Sequence, residues 1–241
     1  MIVGIHQPHY FPWVGYFDKI AKSSAFVLLD QVQFEKGSMM NRNRVIDNNG
    51  EIKYLTVSID TNNHLNREFK ELKTKDNQAW IMKQKCLLAN YYRKAPAYKE
   101  IMDLLDSFFE MECQTVCQWT CESIILITNL LEIRTPLVYQ SEINYNRDCK
   151  KSNLVLAICK SINATTYLSG KGASVDYLDR EQFAENNVRI VFQNFAHPLY
   201  HQINSKEFIP GVSILDMLFN CGVEKTKEVF WKTIEEEREI V

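Results

Sequence analysis

The sequence predicts an α/β fold in a single domain over residues 1–241, a mostly parallel sheet flanked by helices with a helical insertion in the middle. Three observations carry that expectation. Short apolar runs alternate with stretches of helical period near both ends, the pattern of strands joined by crossover helices. Between Asp76 and Glu132 the pattern turns helical. Hydrophobic residues make up 46% and charged residues 24% of the 241, which supplies apolar material for one sizeable core.

Met1 to Ile5 is an apolar run stopped by His6-Gln7-Pro8, where Pro8 lacks a backbone donor and restrains Gln7 to extended geometry. A buried strand leading into a loop is expected. Trp13, Val14, Phe17, Ile20 and Ala21 fall at helical spacing, and Ala25 to Leu29 is a second apolar run ending at Asp30. Strand, helix and strand in that order imply a parallel βαβ unit. Glu35 to Asn49 is polar and basic, Asn48-Asn49-Gly50 signals a turn, and Tyr54 to Ile59 alternates, so a hairpin is expected. Helices are expected near 76–92, 97–111 and 114–131, broken at Ala95-Pro96. Leu137 to Tyr139, Thr165 to Leu168 and Val188 to Phe192 then read as strands, with helices over Lys151 to Ser161 and Tyr177 to Glu185. Ile214 to Phe219 and the stretch from Glu224 onward are helical, separated at Cys221-Gly222, where glycine suits a C-terminal cap.

Charge and composition narrow the function. Lys and Arg total 28 against 30 Asp and Glu, a net charge of -2, so the basic footprint of a general nucleic-acid binder is missing and any anion site must be local. No apolar run approaches the roughly 20 residues of a membrane helix, and the amino terminus lacks the pattern of a signal peptide, so a cytoplasmic location is expected. Seven cysteines, at 86, 113, 117, 121, 149, 159 and 221, show no paired framework and read as thiols of a reducing compartment.

The polar residues that can carry chemistry gather in loops after strands. His6-Gln7-Pro8-His9-Tyr10-Phe11-Pro12-Trp13 crowds two imidazoles, an amide and three aromatics where ligands bind in open α/β sheets. Tyr10, Phe11 and Trp13 can stack on a sugar or base while His6 or His9 handles a proton; the plainer reading is a rigid loop that closes the core. Asp30-Gln31-Val32-Gln33-Phe34 is expected beside this loop, with Asp30 as general base, hydroxyl acceptor or turn-stabilising carboxylate. Asn41-Arg42-Asn43-Arg44 supplies two guanidinium forks suited to the phosphates of a nucleotide-linked sugar, or else a solvated basic turn. A later cluster comprises Ser169-Gly170-Lys171-Gly172-Ala173-Ser174 and His197-Pro198-Leu199-Tyr200-His201-Gln202. The first of these can approach an anion closely or form an ordinary strand-to-helix turn, and it lacks the spacing of a P-loop. Cys113, Cys117 and Cys121 line one side of a predicted helix, and core packing is favoured there over metal. No metal site is assigned.

These blocks together resemble the WbqC-like family. The resemblance lies in Ile5 to Ile20, in Leu29-Asp30-Gln31-Val32-Gln33-Phe34, in Asn41 to Arg44, in Thr166 to Gly170, in His197 to Gln202 and in Phe208 to Gly222. It implies bacterial O-antigen, capsule or lipopolysaccharide biosynthesis and an acyl or aminoacyl transferase acting on a nucleotide-linked amino sugar. Under that reading His6 or His197 accepts the amine proton, Asp30 completes the catalytic set, and Arg42 or Arg44 holds the diphosphate. Gln7, His9, Tyr10, Trp13, Gln33, Asn41, Asn43, Ser169, Lys171 and Tyr200 are the remaining expected substrate contacts. An activated acyl donor is implied: a thioester, an aminoacyl ester on a carrier, or an acid activated by ATP. Competing readings are a sugar-nucleotide-binding or scaffold protein of glycan assembly, and an ATP-dependent amide ligase.

Overall fold

The computed structural model describes residues 1–61, 67–172 and 177–239, without the side chains of the last four of these. Among them, five parallel strands form one sheet: β1 (Ile2–His6), β2 (Ala25–Leu28), β5 (Leu137–Tyr139), β6 (Thr166–Ser169) and β7 (Arg189–Phe192). Their order is β5-β2-β1-β6-β7. The chain steps outward from β1 through helix α1 (Val14–Ala21) to β2 and β5, then returns through α5 (Ser152–Ser161) to the other side of β1. Helix α6 (Arg180–Glu185) joins β6 to β7. The carboxyl ends of β1 and β6 therefore form a switch point, where connections diverge and leave a crevice.

Alternation along the strands separates two cores. Val3, Ile5 and Val27 join Val155, Ile158 and Cys159 in one, while Phe26 and Leu28 join Phe17 and Ile20 in the other. Gly4 makes the second packing possible, because a Cβ there would stand 2.6 Å from both the Phe26 ring and Ser23 Oγ.

Between β2 and β5 lie an antiparallel hairpin, β3 (Arg42–Ile46) and β4 (Ile52–Thr56), and helices α2 (Asn77–Tyr92), α3 (Tyr98–Phe109) and α4 (Val116–Leu130). Helices α7 (Ile214–Cys221) and α8 (Val223–Glu239) pack against each other and share the same large core. The expected α/β architecture and helical insertion are present. The hairpin is the clearest revision: Tyr54 to Ile59 is not the strand, which ends at Thr56, and Arg42 to Arg44 lie on its partner strand rather than in a turn. Asp76 starts α2 by accepting from the Ala79 amide, and Thr115 and Gln118 form a reciprocal capping box at α4. Cys113, Cys117 and Cys121 are buried in the core, with Cys117 and Cys121 Sγ atoms 3.8 Å apart. Among the described residues no helix is long and apolar enough to cross a membrane.

Candidate functional site

At the switch point two adjoining cavities of about 360 and 370 Å³ share His6, Lys19, Gly170 and Gly172 in their walls. The first is completed by Gln7, Glu35 and Tyr167 among others, and the second by Trp13, Lys171, Gln193 and Phe195. We treat them as one cleft. A larger, more open hollow of about 520 Å³ lies along edge strand β7, with Arg180 across Phe192, but it gathers no acid, imidazole or thiol.

His6 ends β1, and its Nδ1 donates to the Gln7 carbonyl at 2.9 Å, which leaves Nε2 as the acceptor. The His9 ring stands 4.7 Å away edge-on, and Tyr16 packs 5.1 Å from His6. Burial pushes His6 well below the usual imidazole range, with His9 and Lys19 adding repulsion. His9 is pushed down to about 4 by burial and then Lys19. Both rings are neutral at pH 7.

Lys19 is the residue that sequence reasoning missed. Its Nζ donates to the Ile5 carbonyl at 2.8 Å and lies 5.9 and 5.7 Å from the Phe26 and Tyr167 ring centres. Among the described residues no carboxylate forms an ion pair with it, because neighbouring Asp18 is turned to Lys22 at 2.7 Å and to Gln193 at 2.6 Å. Burial therefore brings its ammonium down to about 7. A helical-period reading places a lysine in solvent, yet Val14 through Ile20 are all buried in α1, so no local signal marks Lys19.

The remaining predicted residues divide cleanly. His6, Gln7, Trp13 and Lys171 line the cleft, and His9 backs it through His6 and Tyr16. The catalytic set of His6, Asp30 and His197 is not brought to one cavity. Asp30 is 4% exposed and accepts from the Ser141 amide at 2.9 Å, so its carboxylate secures the connection after β5. His197 donates from Nδ1 to the Pro198 carbonyl and sits among Trp13, Phe195 and Phe208; Trp13 and Phe195 line the cleft, but His197 does not.

The residues of the expected diphosphate clamp do not line the cleft. Asn41 and Asn43 are buried; Asn41 donates to Val57, and Asn43 donates to the carbonyls of Tyr10 and Phe11 at 3.0 and 2.9 Å. Arg44 donates to the Gly211 carbonyl, while Arg42 donates to Gly37 and covers the Tyr54 ring. Strand alternation explains the division on β3, with Asn43 inward and Arg42 and Arg44 on the less buried face. Tyr10 is fully buried and donates to Gln84, and Tyr200 donates to Asp216. Gln33 is exposed in a bridge with Glu68, and buried Ser169 donates to the Gly170 carbonyl. Ala173 and Ser174 lie outside the described residues.

Among the described residues nothing lies within 4 Å of where a Cβ would stand at Gly170 or Gly172, and neither needs a left-handed backbone. Packing does not require glycine at either position, and both border the cleft. Among the described residues no group of three or more potential metal ligands is assembled.

Comparison with known proteins agrees with the motifs. The chain is 30% identical over 224 residues to the uncharacterized protein Rv1507c of Mycobacterium tuberculosis (strain ATCC 25618 / H37Rv), covering 92% of this chain and 94% of that one. No solved structure matches. The profile of the WbqC-like protein family matches residues 7–228, from the loop after β1 into α8, and thus includes the cleft loops on both sides of the switch point; the chain belongs to the WbqC-like protein family.

Proposed function

We propose that the protein is a cytoplasmic acyl or aminoacyl transferase that acylates the amine of a nucleotide-linked amino sugar for surface-glycan assembly, and that the switch-point cleft is its active site. The observation that carries the reading is the meeting of His6, His9 and Lys19 with the Gly170-Lys171-Gly172 loop at the carboxyl ends of β1 and β6. Membership of the WbqC-like family supports the substrate class.

The chemistry follows from the ring positions. The sugar amine attacks the donor's activated carbonyl, a C–N bond forms, and the bond from the acyl carbon to the donor's sulfur or oxygen breaks. His6 Nε2, the acceptor nitrogen of a neutral imidazole, takes the proton lost by the amine and passes it to the leaving group. Trp13 supplies an aromatic wall suited to the sugar's apolar face.

The test is mass spectrometry of purified protein incubated with amino-sugar nucleotides and, in turn, acyl thioesters, an aminoacyl carrier, or glycine with ATP. A donor-dependent mass gain on the sugar, lost in His6→Asn, is expected. No gain with any donor, alongside retained affinity for the nucleotide sugar, would replace the transferase with a binding or scaffold protein. A gain that requires ATP and releases AMP or ADP would make it an amide ligase.

A further inference from the structure

We propose that the cleft recognises an oxyanion, the phosphoryl or carboxylate group of its ligand, between Lys19 and the Gly170-Lys171-Gly172 loop, and that binding takes up a proton from solution. This rests on the cleft being the substrate site as read above, and it names the group that anchors substrate there.

Several observations converge. Arg42 and Arg44 donate to the Gly37 and Gly211 carbonyls and do not line the cleft, whereas Lys19 and Lys171 stand in its wall. Lys19 lines both compartments and uses a donor on Ile5, so its other ammonium protons can serve a ligand. Lys171 Nζ reaches Asn194 Oδ1 at 3.4 Å, a long contact that a phosphate can displace. Among the described residues nothing stands within 4 Å of a Cβ at Gly170 or Gly172, which favours close approach of an anion to the loop backbone. Each compartment, at about 360 and 370 Å³, is in the range of small-molecule sites.

The electrostatics make recognition proton-linked. Titratable groups around Lys19 are His6 and His9 from the first loop, Tyr16 from α1, Tyr167 from β6, and Glu35, Lys171 and Tyr177 from the rim. Glu35 is exposed and makes no ion pair with Lys19, while the other groups are basic or neutral at pH 7. Burial holds Lys19 near 7, so in the empty cleft at pH 8 most of it is unprotonated. An oxyanion against Nζ favours the charged form and raises that value. Binding at pH 8 should then draw a proton onto Lys19, and binding at pH 6, where more of the lysine is already charged, should draw less.

Calorimetric titration of the full chain in buffers of different ionisation enthalpy measures this uptake directly, with uridine diphosphate, inorganic pyrophosphate and acetate as separate probes. No acyl donor is present, so failure of transfer and failure of anion recognition show separately. The expected result is uridine diphosphate binding with net proton uptake at pH 8 that is larger than the uptake at pH 6. Lys19→Met should abolish the uptake and weaken binding at least tenfold. Gly170→Leu, which adds a side chain at a residue lining both compartments, should block binding with the fold intact by circular dichroism, which covers the case of a misfolded lysine variant. Acetate binding with the same uptake, in place of the two phosphates, would assign the site to a carboxylate. Binding without proton uptake, uptake unchanged in Lys19→Met, or no binding of any probe at millimolar concentration would overturn the proposal.

Discussion

Lys19 Nζ donates to the carbonyl of Ile5 at 2.8 Å, tying the middle of α1 to the end of the central strand through a buried group with no carboxylate partner. That bond leaves a costly charge inside the protein, and its pH dependence has a definite sign. The folded-state value is near 7, below the ordinary lysine value of 10.5, so the unfolded chain binds more protons between these limits. Stability should therefore rise as pH increases from 7 towards 10. Lys19→Met should flatten that rise and raise the melting temperature at pH 6; a lower melting temperature at pH 6 would show that the Ile5 bond outweighs the desolvation.

The acid limb is governed by the imidazole pair. His6 and His9 are both held below their unfolded value of 6.5, so the unfolded chain gains protons first as pH falls. Stability present above pH 6.5 should be lost towards pH 4, by up to about 1.4 kcal/mol per pH unit for each histidine. Urea denaturation at half-unit intervals checks this, and His9→Gln should remove a large share of the slope.

Asn43 holds the first loop in shape. Its Nδ2 donates to two successive carbonyls, those of Tyr10 and Phe11, and Phe11 has a φ of 38° that a phenylalanine rarely adopts. Asn43→Ala should cost about 3 kcal/mol in denaturant unfolding, because two buried acceptors each lose a partner. Ser213 Oγ also donates to the Phe11 carbonyl, so the double variant Asn43→Ala/Ser213→Ala, which strips that acceptor of both side-chain donors, should cost more than the sum of the two single losses.

Arg44 should behave as a fold residue. Its guanidinium donates to Gly211, whose positive φ of 67° marks the turn before α7. Arg44→Ala should lower stability by about 1–2 kcal/mol while leaving affinity for a nucleotide sugar within twofold of the parent. A tenfold loss of affinity at unchanged stability would restore it to the binding site.

Asp216, in the first turn of α7, is buried and accepts from Tyr92, Tyr200 and Gln202 at 2.8, 2.8 and 2.9 Å. Desolvation raises its carboxyl above the usual carboxylate value, although its three donors oppose that shift. Asp216→Ala should cost about 3 kcal/mol or more, and Asp216→Asn clearly less, since the amide oxygen retains part of the acceptor role. Equal losses in chemical denaturation would argue against the network.

Local pattern carried the strands and helices of the sheet well, because apolar runs bounded by turns report burial directly. It also placed His6 at a strand's carboxyl end, where the cleft opens. It failed where the decisive partner is distant in sequence. Asp30 accepts from the Ser141 amide 111 residues later, and Arg44 donates to the Gly211 carbonyl 167 residues later, and neither lines the cleft. Polar Arg42 to Arg44 resembled a basic turn because the pairing with Tyr54 to Thr56 and the covering helices are not visible in five residues. Lys19 escaped notice for a related reason: an amphipathic pattern assumes one wet face, and α1 has almost none.

The strand order has a further consequence. β1 pairs with β6, and the amino-terminal ammonium meets Thr165 Oγ1 across a separation of 164 residues. During synthesis the first wall of the crevice thus waits for most of the polypeptide to emerge before its second wall exists. Such late closure costs loop entropy and slows assembly, which predisposes the nascent β1 edge to capture by chaperones or by other strands.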